Sequence, residues 1–394
     1  MRISRRLAGA AAALWLSAGV AGAVDVTAAV LRVDYPTLAP ISRYDARPDD
    51  LGFAGAGLAT EDNATTGSFL GHDFTLVTRA VPPEEAGAAL DALLSEGIAH
   101  VAVIARAPEL LALADAAGDR AVIYNAGARD TGLRDGECRA NVLHVTPSEA
   151  MLADAAVQFA VWKRWSRLAL VEGSNPADTA MGDAYRRAAA RFGARLADPL
   201  IFEDTGGARR TDTGHVLVQR QLPVFTEALP NHDAVIAADA SGVFAPYLPY
   251  HLWTPRPVLG AAGLRPVSFH AAHEAWGATQ FQRRFEALAR RPMQEADYDS
   301  WLALRVLGEA VTRTGSADAA TVRDFVLSDA FELAAFKGVP VTFRPWNGQL
   351  RAPVLLYDGR ITVSVSPQEG FLHQVSPLDT LGLDRPDSAC AAFD

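Results

Sequence analysis

Residues 101–124 read VAVIARAPELLALADAAGDRAVIY. Val101–Ala105 is a short apolar run of strand character, Pro108–Ala117 is a helical stretch followed by Gly118, and Ala121–Tyr124 is a second strand run. Strand, helix and strand in so few residues form a βαβ unit, with the strands parallel and the helix on one face. Toward the N-terminus, Val24–Val33 and Phe74–Val81 read as strands. Pro83–Glu96 reads as a helix with Ala86, Leu90, Leu93 and Leu94 at helical spacing and Gly97 as its stop. Toward the C-terminus, Asn125–Asn141 breaks the rhythm with Gly127, Gly132 and Gly136. A second series follows: helix Ser148–Trp162, strand Leu168–Glu172, helix Ala177–Phe192 stopped by Gly193, strand Arg195–Phe202, helix Val216–Leu229, strand Ala234–Ala238, helix Gly242–His251 and strand Pro257–Leu259. Past Gly263 the pattern turns helical (Thr279–Arg290, Ala296–Thr312, Ala319–Leu327). It ends in two strand pairs, Pro340–Phe343 and Pro353–Ile361, with Asp358-Gly359 as a tight turn.

The expected fold class is therefore α/β, with two doubly wound parallel-sheet lobes and a ligand cleft between them. The length of 394 residues suits two domains, and 49% hydrophobic with 21% charged residues excludes a disordered or fibrous chain. A net charge of −10 with two lysines, Lys163 and Lys337, argues against a nucleic-acid or anionic-lipid surface. Met1–Ala23 reads as a secretory signal: Arg2, Arg5 and Arg6 precede the apolar run Leu7–Val20, and Ala21-Gly22-Ala23 supplies the small residues of a cleavage site. No later stretch is long and apolar enough to cross a membrane, so no membrane insertion of the mature chain is expected. In the oxidising compartment this implies, Cys138 and Cys390 permit one disulfide between the C-terminal tail and a mid-chain loop.

Open parallel sheets bind ligands beyond the carboxyl ends of their strands. The strand ends here read Asp34-Tyr35, Ala105-Arg106, Asn125-Ala126-Gly127, Glu172-Gly173-Ser174-Asn175, Asp239-Ala240-Ser241 and Gly263-Leu264-Arg265. Each polar residue is a candidate ligand contact, and each equally suits a helix cap or a turn. Converging carboxylates at Asp34, Glu172 and Asp239 would suit a hard cation, whereas Arg106 and Arg265 would suit an organic anion. On a helix, His270 and His273 beside Glu274 would sit three apart, as in a transition-metal site. There is no GxSxG elbow, no phosphate-binding GxxxxGKS loop and no GxGxxG after the first strand, so no enzyme activity and no cofactor are expected. Gly52–Gly57 (GFAGAG) lacks that spacing.

The order of elements and the exported α/β pair resemble a type I periplasmic solute-binding protein of an ABC transporter, of the branched-chain amino acid group. Trp253–Gly260, Ala275-Trp276-Gly277, Ala296–Asp299 with Trp301, Phe336-Lys337-Gly338, Phe343–Arg351 and the tail from Asp379-Thr380-Leu381-Gly382 to Cys390 are similar to a narrower subfamily. Its members are substrate-binding proteins associated with PQQ-dependent alcohol dehydrogenase systems. The resemblance implies a periplasmic monomer that delivers a small-molecule or metal ligand to a membrane permease. It implies an N-terminal lobe of residues 24–145 plus 273–349 and a C-terminal lobe of 146–272 plus 350–394, and it puts GFAGAG near a closely packed first helix. Because PQQ-linked dehydrogenases use calcium or a lanthanide, it also implies lanthanide or metal-complex uptake as one ligand class, beside a small organic acid. Amino-acid binders of the wider family use Ser/Thr hydroxyls after the third and fourth strands, where this chain has Ala105-Arg106-Ala107 and Asn125-Ala126-Gly127-Ala128. A periplasmic sensor or accessory scaffold of a PQQ-dependent dehydrogenase is the alternative reading.

Overall fold

A computed structural model describes residues 23–37, 46–206 and 214–393. The expected secretory signal lies outside the described residues except for Ala23. The first sheet and its flanks comprise β1 (Asp25–Val33), α1 (Phe53–Gly67), β2 (Asp73–Val81), α2 (Ala86–Ser95), β3 (His100–Ile104), α3 (Ala107–Ala117), β4 (Val122–Asn125) and β5 (Val142–His144). All five strands are parallel, in the order β2-β1-β3-β4-β5. The inner strands are buried on both faces, which is why they read as unbroken apolar runs. On one face Leu31, Val101, Val103 and Ile123 pack against Leu90, Leu93, Leu110 and Leu113 of α2 and α3.

The second sheet comprises α4 (Glu149–Trp162), β6 (Arg167–Gly173), α5 (Pro176–Phe192), β7 (Arg195–Leu196), β8 (Leu200–Phe202), α6 (Gly214–Thr226), β9 (Ala234–Ala238), α7 (Leu248–His251) and β10 (Val258–Gly260). Its strands are again parallel, in the order β10-β9-β6-β7, with β8 also on β6. Two expectations need correction. The single strand Arg195–Phe202 is two short pieces on the same neighbour, broken beside Pro199, which has no N–H to donate. Within Gly242–His251 only the last turn is helical. The amides of Val243, Phe244 and Ala245 are taken by the Asp239 carboxylate, and Pro246 follows. The segment read as a loop, Asn125–Asn141, is followed directly by β5, a three-residue strand too short to stand out by period.

The remaining elements are β11 (Arg265–Val267), α8 (Ala278–Ala289), α9 (Glu295–Thr314), α10 (Ala319–Val326), β12 (Thr342–Phe343), β13 (Leu350–Arg351), β14 (Val354–Tyr357) and β15 (Thr362–Ser366). The three helices return to cover the other face of the first sheet, where Phe269 stacks on Tyr298 at 4.7 Å and Phe281 on Phe336 at 4.4 Å. A Cβ on Gly55 would lie 1.8 Å from the Asp297 carbonyl oxygen, so the small residues of GFAGAG let α1 rest on the backbone of α9. The terminal hairpin turns at Asp358, whose side chain accepts from the Arg360 and Ile361 amides. Its second strand, β15, falls beyond the Pro353–Ile361 span.

The chain passes between the two halves three times: from β5 to α4, from β11 toward α8, and from β13 to β14. Lys337 ties the second passage to the third, donating to the carbonyls of Ser268 and Pro353 from a fully buried position. Burial brings its ammonium down to about 7, against the pull of Asp299 and Glu295. The C-terminal tail then enters between the halves. Buried Asp379 accepts from Arg344 Nε at 2.8 Å and from Arg351 Nε at 2.8 and 3.0 Å, and Cys138 and Cys390 form the disulfide. Asp379→Ala leaves two interior guanidiniums without their carboxylate, and a loss of about 3–5 kcal/mol is expected in urea unfolding. An unchanged midpoint would contradict this placement.

Candidate ligand cleft

Parallel strands bring all their carboxyl ends to one edge of each sheet. The first passage leaves from the carboxyl end of β5, and the second follows the carboxyl end of β10 after the short β11. The carboxyl edges of the two sheets therefore lead toward the first two passages, which is where open parallel sheets place a ligand.

In the first half, Arg106 follows β3 and opens α3. Its amide donates to the Tyr35 hydroxyl at 2.8 Å, and its guanidinium lies 4.0 Å from the Tyr35 ring centroid. The Tyr35 hydroxyl donates to Glu109 Oε2 at 2.7 Å, and burial together with Glu109 pushes the phenol up to about 12. Arg106 is exposed, and among the described residues no carboxylate pairs with its guanidinium. Asp34, by contrast, is held by Arg32 at 2.8 Å and by Arg47. Burial acts to raise its carboxyl, and the two guanidiniums outweigh that and hold it below the usual carboxylate range.

Asn125 is fully buried and fully employed. Its amide nitrogen donates to the Ala128 carbonyl at 2.8 Å and contacts His144 Nδ1 at 2.9 Å, while its oxygen accepts from the amides of Gly127 and Ala128. A Cβ on Gly127 would lie 2.8 Å from the Ala105 amide nitrogen, so this glycine serves close packing of the β3 and β4 loops. Two residues further, Arg129 pairs with Glu295 at 2.7 Å, and Glu295 also accepts from the Ser268 amide at 2.8 Å. The sequence reading missed this partly exposed pair. Arg129 stands in the same strand-end loop as Gly127, but Glu295 comes from a helix more than a hundred residues away in sequence.

In the second half, Ser174 Oγ accepts from the Asp204 amide at 2.9 Å, leaving its O–H to donate elsewhere. Asn175 caps α5 in a reciprocal box with Asp178, whose other oxygen accepts from the Ser241 amide at 2.8 Å. These bonds fix the rim formed by the β6 and β9 loops. Glu172 is buried and paired with Arg186. Asp239 is buried and accepts from three amides at 2.6–2.9 Å, and burial lifts its carboxyl above the ordinary value in spite of them. Asp34, Glu172 and Asp239 thus each have local partners, and among the described residues no three metal-ligating side chains gather.

Arg265 lies 5.0 Å over the Tyr357 ring, and His270 stacks on that ring at 3.9 Å. With Gln294, Glu295 and others they line a pocket of about 290 Å3 beside the passages. His270 and His273 are not on a helix. Both are buried, and the Thr362 hydroxyl joins them at 3.0 and 2.9 Å; burial lowers each to about 4. Among the described residues the guanidiniums of Arg106 and Arg265 have no carboxylate partner, and beside them a serine hydroxyl on a fixed rim can still donate, which is the chemistry of anion capture. Asn125→Ala should cost about 3 kcal/mol in denaturant unfolding, because it orphans several buried groups. Arg106→Ala should stay within about 0.5 kcal/mol of the parent. Equal effects of the two would contradict this division between framework and ligand contact.

Among curated proteins none matches the chain by sequence. A family profile described as periplasmic binding protein matches residues 50–204. A branched chain amino acid ABC transporter periplasmic ligand-binding protein from Burkholderia xenovorans LB400 superposes with a TM-score of 0.70 at 18% identity, over 94% of this chain and 100% of its own. A leucine-, isoleucine-, valine-, threonine- and alanine-binding protein from Brucella ovis, in a closed conformation, gives 0.65 at 12% identity over 85% and 90%. A solute-binding protein of an ABC transporter from R. palustris, in complex with benzoate, gives 0.63 at 12% over 94% and 100%. The chain is similar to these in architecture, and its fold is the two-sheet α/β fold of the type I periplasmic binding proteins.

Proposed function

We propose that this chain is the exported ligand-capturing component of an ABC uptake system, that it works without chemistry on its ligand, and that the ligand is a small organic anion. The observation that carries the choice of ligand is Arg106, an exposed guanidinium stacked on Tyr35 at the carboxyl edge with no carboxylate partner among the described residues. A planar carboxylate would take its two outer N–H groups, as bidentate pairs do. In this reading Ser174, Asn175 and Ser241, at the carboxyl ends of β6 and β9, would meet the ligand from the other half, and Arg265 lines the pocket of about 290 Å3. Two lobes meeting over a ligand, with the boundaries given above, supply the closing motion of such proteins.

The fold neighbours support this reading: two of them are named for or hold amino acids and benzoate, all small carboxylates. The absence of Ser and Thr after β3 and β4 turns the choice away from an α-amino acid. The link to PQQ-dependent alcohol oxidation rests on the subfamily strings, and an acid formed by oxidising an alcohol fits the arginine. A lanthanide finds less support, because Asp34, Glu172 and Asp239 are engaged by arginines and backbone amides.

The test is thermal unfolding of residues 24–394 with benzoate, short-chain carboxylates, branched-chain amino acids, PQQ, calcium and lanthanides. A carboxylate at 100 times its Kd should add about 2.7 kcal/mol and raise Tm, and Arg106→Ala should abolish the rise. A rise with lanthanides alone would overturn the anion reading. No rise with anything would point to the sensor or scaffold role.

A further inference from the structure

The C-terminal tail makes contacts that the three passages do not account for. From Leu378 to Leu383 it lies buried between the halves. On one side the second half holds it: Gln158 of α4 donates to Thr380, Asp154 accepts from the Gly382 amide at 2.7 Å, and Arg191 of α5 donates to the Gly382 carbonyl. On the other side Arg344, beside the β12–β13 hairpin that packs with the first sheet, donates to Asp379 and to the carbonyls of Leu378, Leu381 and Leu383. The chain then crosses outright through the exposed stretch 385–387. It ends on the first half, where Ser388 donates to the Arg134 carbonyl, the Ala389 amide donates to Asp135, and Cys390 is bonded to Cys138.

We infer that the C-terminal segment Pro377–Cys390 is a fourth tie between the halves, a strap closed by the Cys138–Cys390 disulfide that limits how far they open. The inference rests on the reading of two lobes that move about their passages, and it adds what restrains them. A passage is a covalent run of chain that bends at its own dihedrals. The strap differs because its far end is held by the disulfide, a few hydrogen bonds and the Phe393 ring against Gly348, with no run of chain continuing into the first half's sheet. The segment that leads into the strap is not packed solid either: residues 366–378 border a hollow of about 770 Å3 that Trp276, Val339 and Pro340 of the first half also line. The strap therefore leaves room for movement and sets its extent by length. The bridge from Asp384 to Asp387 is four residues, at most about 14 Å fully extended.

The test is small-angle X-ray scattering of the ligand-free mature protein, so it does not depend on which ligand is right. Dithiothreitol supplies two electrons and two protons to the S–S bond, leaving two thiols and its own cyclic disulfide. Reduced protein should show a larger radius of gyration and maximum dimension than oxidised protein, with an unchanged far-ultraviolet circular dichroism spectrum. Cys138→Ser with Cys390→Ser should expand equally without reductant. Inserting Gly-Ser-Gly-Ser after Pro386 keeps the disulfide and both anchors but lengthens the bridge, and it should also expand the particle. Superimposable profiles for the oxidised, reduced and insertion forms would overturn the strap, whatever the ligand panel shows. If the reduced chain loses its folded spectrum, the insertion form alone decides: expansion supports the strap, and no expansion overturns it.

Discussion

Arg134 sits in the interior and, among the described residues, spends its guanidinium on carbonyl oxygens rather than on a carboxylate, and much of the architecture turns on this. It donates to the carbonyls of Ala128, Asp130 and Thr146 and to the side-chain oxygen of Gln349. Gln349 returns donors to the carbonyls of His144 and Thr146. One fork thus fastens the β4 loop, the exit from β5 and the approach to β13, so that two passages run side by side. Burial brings Arg134 down to about 9, still charged at neutral pH, and its worth lies in satisfying carbonyls that would otherwise be buried without donors. Lys337 does the same between the second and third passages, and Arg344 does it for the tail. Buried cations bound to carbonyls recur wherever chain must cross between the halves, because crossing chain forms no sheet ladder of its own.

This has a consequence for the cleft. The first passage leaves from a carboxyl edge and the second follows one closely, so the polar residues there serve two demands, holding loops in place and meeting a ligand. Asn125, Asp239, Glu172 and Asp178 serve the first: each is buried, with its oxygens on amides or an arginine. Among the described residues Arg106, Arg265 and the hydroxyls of Ser174 and Ser241 are left for the second. The cleft is therefore a mostly rigid frame with few free groups, which favours a small ligand held by charge and shape.

The alternation of strand and helix was legible because both sheets are parallel and doubly covered, so their strands are plain apolar runs, as at Val101–Ala105 and Ala234–Ala238. The β5 strand escaped notice because three residues carry no period. The break at Pro199 and the open turn at Val243–Ala245 were masked by apolar content that suited longer elements. For the candidate site, position was legible and role was not. Asp34 and Arg106 both follow strands directly, yet one is neutralised by Arg32 and Arg47 and the other stacks unpaired on Tyr35. Which partner a side chain takes depends on the folded loops, whether that partner is near in sequence, as Arg32 is to Asp34, or far, as Glu295 is from Arg129. The strings behind the subfamily resemblance fall largely on the aromatic core, the passages and the tail (Tyr298, Trp301, Lys337, Arg344, Gln349, Asp379). They speak to descent and framework more than to ligand.

The central claim is that an anion is gripped across the two carboxyl edges with Arg106 as its first contact. A crystal structure of the mature protein grown with benzoate tests it most directly. The account predicts a carboxylate within hydrogen-bonding distance of the Arg106 guanidinium, with Ser174 or Ser241 facing it from the second half. A bound anion that ignores Arg106, or density for a cation drawing Asp34, Glu172 and Asp239 together, would contradict it.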